Sequence, residues 1–290
     1  VLTDGRDAAV AFANTEQAEF WSQIAPTWIE LEDRMEEVGG LPGQLAMDRL
    51  DLRPGQRVID LGCGAGRTTL ELASRVGPGG EVAGVDISAE MLAAGRERAA
   101  RLGAGNVAFV HADAQVTDLG EARFDAAYSR FGVMFFGDPV AAFANVRRAL
   151  RPGAVLSFAC WQGVFDNEWM LIPGAAAATV TGSLPPMPGP GEPGPFSLAD
   201  PERARAVLGA AGFGSVVITP HADHIVISED RIPEVARASA RTGAVRGMLQ
   251  EADEPTRERA LAAIEEALRA RLQDGQVHAS RGVLLVTGRA

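Results

Sequence analysis

Apolar residues recur at spacings of three and four between Glu16 and Val38, where Phe20, Ile24, Trp28, Leu31 and Met35 form one stripe; this spacing predicts amphipathic helix. Pro26 lies inside the stripe and predicts two shorter helices, because proline removes a helical N–H and crowds the preceding turn. Gly39-Gly40 predicts a stop, and Leu41–Leu50 predicts a further helix before a turn at Arg53-Pro54-Gly55. From Arg57 the pattern changes. Short apolar runs bounded by turn residues predict strands at Arg57–Leu61, Glu81–Val85, Val107–Val110, Phe124–Ser129 and Ala154–Ala159. Helical patterns fill the gaps at Thr68–Val76, Ala89–Leu102 and Pro139–Leu150. The last of these is introduced by Asp138-Pro139, an N-cap acid followed by proline at the first helical position. Strands alternating with helices predict an α/β fold with a parallel sheet covered on both faces.

After Trp161 the alternation stops. Residues 163–183 are mixed and alanine-rich, and Leu184–Pro195 is dense in proline and glycine, which predicts a surface loop. Asp200-Pro201 opens another helix, Gly214–Thr219 reads as a strand, and residues 229–273 are helical and charged. In that last stretch Leu261, Ile264, Leu268 and Leu272 share a face, and Glu265 and Arg269 form an i,i+4 pair in the favourable order. Gly282–Thr287 is a strongly apolar strand. The expected organisation is a helical cap (1–50), a β/α core (51–161), an insertion or cap loop (162–200), and a C-terminal part of the sheet (201–290) with a helical insertion at 229–273.

Composition narrows the function classes. Of 290 residues, 47% are hydrophobic and 22% charged, a globular balance with enough apolar material for a sizeable core. The net charge is -11 and every basic residue is arginine, which disfavours a phosphate backbone as partner and favours a small-molecule substrate. Two cysteines, Cys63 and Cys160, are too few for a disulfide framework and read as small apolar residues at strand ends. No metal-binding spacing is present, so no metal is expected. No charge-free apolar run reaches the ~18 residues of a membrane span. The N-terminus, with Asp4, Arg6 and Asp7, lacks an apolar signal core, so a cytoplasmic protein is expected.

The chemistry is concentrated where the first strand, Val58-Ile59-Asp60-Leu61, meets Gly62-Cys63-Gly64-Ala65-Gly66 and a helix from Arg67. Such glycines let the backbone turn sharply and lie against a ligand, and the helix start offers free N–H groups. Asp86 ends the next strand about twenty residues on, where a carboxylate in a βαβ unit can accept from ribose hydroxyls. The spacing is GxGxG, and Arg67 stands where the dinucleotide fingerprint GxGxxG has its last glycine. Asp60, just before the turn, opposes a pyrophosphate but attracts an ammonium. Both features favour S-adenosylmethionine (SAM) over a nicotinamide dinucleotide.

These residues resemble the first motif of class I SAM-dependent methyltransferases, in particular the group of ubiquinone/menaquinone C-methyltransferases. Asp86-Ile87-Ser88-Ala89-Glu90-Met91-Leu92 is similar to that family's second motif and Ala112-Asp113-Ala114 to its adenine-binding turn. Phe124-Asp125-Ala126-Ala127-Tyr128-Ser129 resembles its fourth strand, and Arg148-Ala149-Leu150-Arg151-Pro152-Gly153 the turn into the fifth. The resemblance runs in order from about Val58 to Trp161. It implies a Rossmann-like seven-stranded sheet whose last strand is antiparallel, with helices on both faces and helical cap insertions. It also implies SAM as cofactor, with S-adenosylhomocysteine (SAH) as product. Asp60, Gly62, Gly64 and Gly66 would meet the methionine part. Asp86, with Ile87 beside it, would hold the ribose, Asp113 and Ala114 the adenine, and Ser129 would lie near the methionine amine.

Methyl transfer from a sulfonium is an in-line displacement that needs alignment more than acid–base chemistry. A base, where one is needed, has two candidates in His221 and His224, each of which also reads as a solvated or structural residue. Trp28 (with Trp21) either packs on the sheet or closes over the cofactor. Arg130, Phe131 and Met134 follow the fourth strand at the crevice; Arg130 either grips an acidic substrate group or pairs with a nearby acid. Trp161 (with Trp169) either lines the substrate side or packs. After the fourth strand the chain has Ser129-Arg130-Phe131-Gly132 rather than the Asn/Asp-Pro-Pro-aromatic run typical of methyltransferases acting on base amines. A small organic acceptor, apolar or metabolite-like, is therefore expected. Two readings compete: a SAM-binding protein of the same fold with a different reaction, and a nicotinamide-dependent oxidoreductase.

Overall fold

A computed structural model describes residues 12–184, 189 and 191–290. Asp4, Arg6 and Asp7, and residues 185–188 and 190 of the proline-glycine stretch, lie outside the described residues. Helices α1 (Thr15–Glu30) and α2 (Glu32–Asp48) precede the alternating core. The core runs β1 (Arg57–Leu61), α3 (Arg67–Val76), β2 (Glu81–Asp86), α4 (Ala89–Leu102), β3 (Val107–His111), β4 (Phe124–Arg130), α5 (Pro139–Ala149) and β5 (Leu150–Trp161). There follow α6 (Glu168–Thr181), α7 (Pro201–Ala210), β6 (Gly214–Ser228), α8 (Ile232–Arg241), α9 (Gly243–Leu249), α10 (Glu254–Arg269) and β7 (Gln276–Arg289).

The seven strands form one sheet in the order β3-β2-β1-β4-β5-β7-β6. Strands β1 to β5 pair in parallel, and β7 is antiparallel to both of its neighbours. Side-chain direction separates the faces. Tyr128 and Ser157 donate to carbonyls of α2 (Gly43 O, 2.8 Å; Ala46 O, 2.7 Å), which puts α2 on one face. Phe158 points the other way and stacks on Phe143 of α5. On the α2 side, Phe109 fills space left by three glycines: a Cβ on Gly66, Gly84 or Gly95 would meet its ring at 2.5, 3.2 and 2.9 Å. These absent side chains let α4 and the turn before α3 seat closely on β2 and β3.

Several helical expectations are corrected. α1 continues through Pro26 and breaks at Leu31 instead. Pro26 is exposed, so the carbonyl it deprives of a donor is on the solvent side, while its neighbours Ile24 and Ala25 are buried and hold the helix on the protein. α2 likewise runs through Gly39-Gly40 and Pro42. Here glycine serves contact rather than termination: a Cβ on Gly39 would lie 3.1 Å from the Phe131 ring, and one on Gly43 3.1 Å from Tyr128 Oη. The mixed stretch after Trp161 is the helix α6, apolar around much of its surface and packed on α10, so it shows no helical period to read.

β6 and β7 are longer than expected and project past the end of β5. Trp161 and His221 are both level with Val283, and the ladder then continues to Ser228 opposite Gln276. The strand expected at Gly214–Thr219 continues through Pro220, because β6 is an edge strand, where a missing N–H is tolerated. Helices α6, α8, α9 and α10 pack with one another beside this projecting ladder, above the carboxyl ends of the core strands.

Candidate functional site

The glycine turn is built by hydrogen bonds to β2. Gly62 N and Cys63 N both donate to Val85 O (2.8 and 3.1 Å), Gly66 N closes onto Cys63 O, and α3 begins at once. Gly62 and Gly66 have φ of +66° and +78°, where a side chain is strained. Gly62 also touches Gly132 of the loop after β4: a Cβ on Gly62 would lie 2.8 Å from Gly132 Cα. Ser129 fixes that contact, donating to Leu61 O at 2.7 Å and accepting from Gly132 N at 3.2 Å.

Asp60 is fully buried at the base of the turn. Its Oδ2 accepts from Thr68 Oγ1 (2.8 Å) and Thr69 Oγ1 (2.7 Å), both in the first turn of α3, whereas Oδ1 has no partner. Burial pushes the Asp60 carboxyl up to about 6, against the pull of the two threonine hydroxyls. Asp86 meets the turn from β2: Gly64 N donates to its Oδ2 at 2.7 Å and Ser88 N to its Oδ1 at 2.9 Å. Burial raises the Asp86 carboxyl as well. Ile87 follows, its carbonyl accepting from His111 Nε2 at 3.0 Å. Asp60, Gly62, Gly64, Gly66, Asp86, Ile87 and Ser129 are thus gathered at the carboxyl ends of β1, β2 and β4, where open α/β sheets bind ligands.

Asp113 and Ala114 stand beside them after β3, but the Asp113 carboxylate is already in use. Oδ2 accepts from Ala13 N (2.9 Å), Asn14 N (3.0 Å) and Asn14 Nδ2 (2.9 Å); Oδ1 accepts from Asn14 Nδ2 (2.9 Å) and Gln115 N (2.9 Å). Ala114 O accepts from Asn145 Nδ2.

The residues read as substrate-facing divide. Phe131, at φ +62°, stacks flat on Trp161 with ring centroids 3.8 Å apart and planes 8° apart. Trp169 lies 5.2 Å beyond Trp161, with its Nε1 donating to Asn167 Oδ1. Trp28 joins a second aromatic group: it meets Trp21 edge-on at 5.4 Å, and Trp21 meets Phe135 at 5.0 Å. Arg130 pairs with Glu36 of α2 at 2.7 Å, the second of its two readings, a salt bridge to a nearby acid. Met134 is corrected: it is 1% exposed, its sulfur accepts from Trp161 N and its carbonyl from Ser197 Oγ, so it belongs to the core.

The two histidines are not brought to the glycine turn. β6 is four strand spacings from β1, about 19 Å across the sheet. His221 lies 3.4 Å from Asp223, which is paired with Arg281, and exposed His224 is beyond the end of β5 opposite Ser280. A strand that continues past Pro220 carries them away from the place where a strand end would have left them.

Sequence reasoning missed other contributors. Thr68 and Thr69 carried a readable signal, two hydroxyls in the first turn after the glycines. Asn14 and Gly132 carried none, since their contacts span 99 and 70 residues. The acids of α2 were also missed: Glu32, Asp33 and Glu36 face Arg67 and Arg98, and Arg98 Nη1 donates to Ala65 O, so α2 is tethered to the glycine turn.

The chain is similar to several known proteins. A family described as a methyltransferase domain matches residues 58–153. Demethylmenaquinone methyltransferase of Bacillus cytotoxicus is 35% identical over 104 residues, 36% of this chain and 44% of that protein. The enzyme of the same name from Staphylococcus aureus strain JH9 is 36% identical over 110 residues, 38% of this chain and 45% of that protein. The chain thus spans less than half the length of these curated relatives. Among solved structures, the YcgJ protein of Bacillus subtilis superimposes with a TM-score of 0.56 at 19% identity, covering 86% of this chain and 98% of that one. The [4+2]-cyclase SpnF superimposes with a TM-score of 0.58 at 17% identity, covering 98% of both chains.

The sheet order and its antiparallel β7 define the class I SAM-dependent methyltransferase fold. Residues 58–153 match a methyltransferase domain and are similar in sequence to part of the demethylmenaquinone methyltransferases.

Proposed function

We propose that this protein is an enzyme that binds SAM across the carboxyl ends of β1, β2 and β3 and transfers its methyl group to a small apolar organic acceptor, leaving SAH. The observation that carries the reading is Asp60: a buried carboxylate held by two threonines with its second oxygen unpartnered, directly beneath a turn whose Gly64 has open space where a side chain would stand. A buried acceptor atom without a donor is costly unless a ligand supplies one, and the ammonium of an amino-acid moiety fits that demand. The residues present therefore suit SAM.

SAM, when bound, supplies an electrophilic methyl group on a sulfonium. The chain's own residues would do the rest. Asp60 Oδ1 and the backbone around Gly62 and Gly64 would hold the amino-acid end, and Asp86 the ribose hydroxyls. Ser129 keeps the β1 and β4 loops in contact, so the turn is positioned before any ligand arrives. The aromatic planes of Phe131, Trp161 and Trp169 offer an apolar wall at the ends of β4 and β5, suited to a flat acceptor, and exclude water from the reacting centre. Trp21 and Trp28 on α1 form a second wall against Phe135.

Residues 1–50 act as a helical cap, 51–161 as the SAM-binding core, 162–200 as an insertion, and 201–290 as the end of the sheet with its helical insertion at 229–273. An acidic chain with arginine as its only cation is suited to a small molecule rather than a nucleic acid. Among the described residues no helix is long and apolar enough to cross a membrane, and the cytoplasm is the proposed compartment. Incubation with methyl-labelled SAM and pooled organic acceptors, read by mass spectrometry, tests the transfer. Label is expected in an apolar or aromatic acceptor; SAH-competent protein that labels no acceptor would favour a different reaction on the same fold.

A further inference from the structure

We propose that Asn14 is a positioning residue that fastens the start of α1 across the adenine end of the crevice and so controls exchange of the adenosyl ligand; the inference rests on the SAM reading above. Asn14 is 8% exposed and ties together two loops distant in sequence. Its Nδ2 donates to both Asp113 oxygens and to Gln115 Oε1 (3.2 Å), and its Oδ1 accepts from Gly137 N at 2.7 Å. Gln115 Oε1 also accepts from Asp138 N, so the loops after β3 and β4 close on the same amide.

The arrangement decides what Asp113 does. Five hydrogen bonds from Ala13, Asn14 and Gln115 fill its carboxylate, which is 2% exposed. A carboxylate has about four acceptor sites, so none is left for an adenine amino group while the strap is fastened. Asp113 is thus the strap's anchor in the closed form. Phe12 extends the strap, its ring 5.2 Å from that of His111, and Trp21 extends it on the other side to Phe135. With charge-assisted hydrogen bonds concentrated on one amide, release is a discrete event rather than fraying.

The amide's geometry provides the test. Asn14→Asp keeps the shape but sets a carboxylate against Asp113, whereas Asn14→Ala only removes the bonds. The expected order of strap opening is Asp above Ala above wild type, and the exchanged pair Asn14→Asp with Asp113→Asn is expected to recover part of the closure. A residue that merely fills space predicts the opposite order, with Ala worse than the isosteric Asp. Two readouts apply to the full chain: deuterium exchange at the Ala13, Asn14 and Gly137 amides, and the dissociation rate of SAH. In Asn14→Asp both are expected to rise about tenfold or more, as loss of an interaction of this type allows. Unchanged SAH dissociation, or unchanged amide exchange, in Asn14→Asp overturns the proposal. Absence of SAH binding by the wild-type protein would instead overturn the cofactor reading, and the gate with it.

Discussion

The guanidinium of Arg281, on the last strand, donates at 2.6 Å to the carbonyl of Val38, the helical carbonyl that Pro42 leaves without its i+4 donor. The same Nη1 reaches Glu37 O at 3.1 Å, and Nε donates to Asp223 Oδ1 at 2.6 Å. One buried cation therefore lets α2 pass through a proline and pins it to β6 and β7. This keeps the acids of α2 over the glycine turn.

Arg281→Met is expected to destabilise the fold by about 3 kcal/mol, since it strands Asp223 and the Val38 carbonyl in a largely buried place. In a Pro42→Ala background the same change is expected to cost about 1 kcal/mol less, because the backbone N–H restored by that substitution takes over Val38 O. Denaturant unfolding of the four proteins measures this coupling. Strict additivity would separate Arg281 from Pro42.

Asp60 sets function against stability. Its folded-state pKa of about 6 exceeds the ordinary 3.8, so the folded protein favours the protonated form. The resulting penalty is absent below about pH 4 and complete above about pH 7, reaching about 3 kcal/mol for a shift of roughly two units. Asp60→Asn removes the charge and gives the unpartnered position an N–H₂ group. The stability gain of the variant over wild type is expected to grow by about 1 kcal/mol between pH 5 and pH 7, while its affinity for SAH falls. A gain that shrinks with rising pH would contradict this.

Asp86→Ala removes the acceptor of Gly64 N as well as the proposed ribose partner. SAH binding by a folded variant is expected to weaken by about 1–3 kcal/mol. Calorimetry checks this, and unchanged affinity would take Asp86 out of the site.

His221→Ala and His224→Ala are expected to leave methyl transfer within about twofold of wild type, because His221 sits against Asp223 and His224 is exposed beyond the end of β5, whereas general-base catalysis is typically a 10²–10⁴-fold effect, about a hundred-fold at the least. A hundred-fold loss of turnover with unchanged KM in either variant would restore a catalytic role.

The core was legible because its signals are local. β1 through β5, the glycine turn and Asp86 each carry their information within a few residues; the ends of β1 to β4 fall within one residue of where the pattern put them, while β5 starts four residues earlier, in what read as a turn. α2 was misread because its glycines serve Phe131 and Tyr128, and its proline is compensated by Arg281, 239 positions later. α6 has an apolar surface with no stripe to read. The histidines were misplaced because Pro220 sits on an edge strand, a fact of sheet order that no local pattern contains. Asp113 follows β3 as the pattern put it, but its engagement by Asn14 depends on a contact across 99 residues.

The proposed ligand of the crevice above Asp60 is SAM. Isothermal titration of the protein with SAH and, separately, with NADH tests it most directly. One site per chain for SAH with no heat from NADH is the predicted result. Binding of NADH without binding of SAH would make the crevice a nicotinamide site instead.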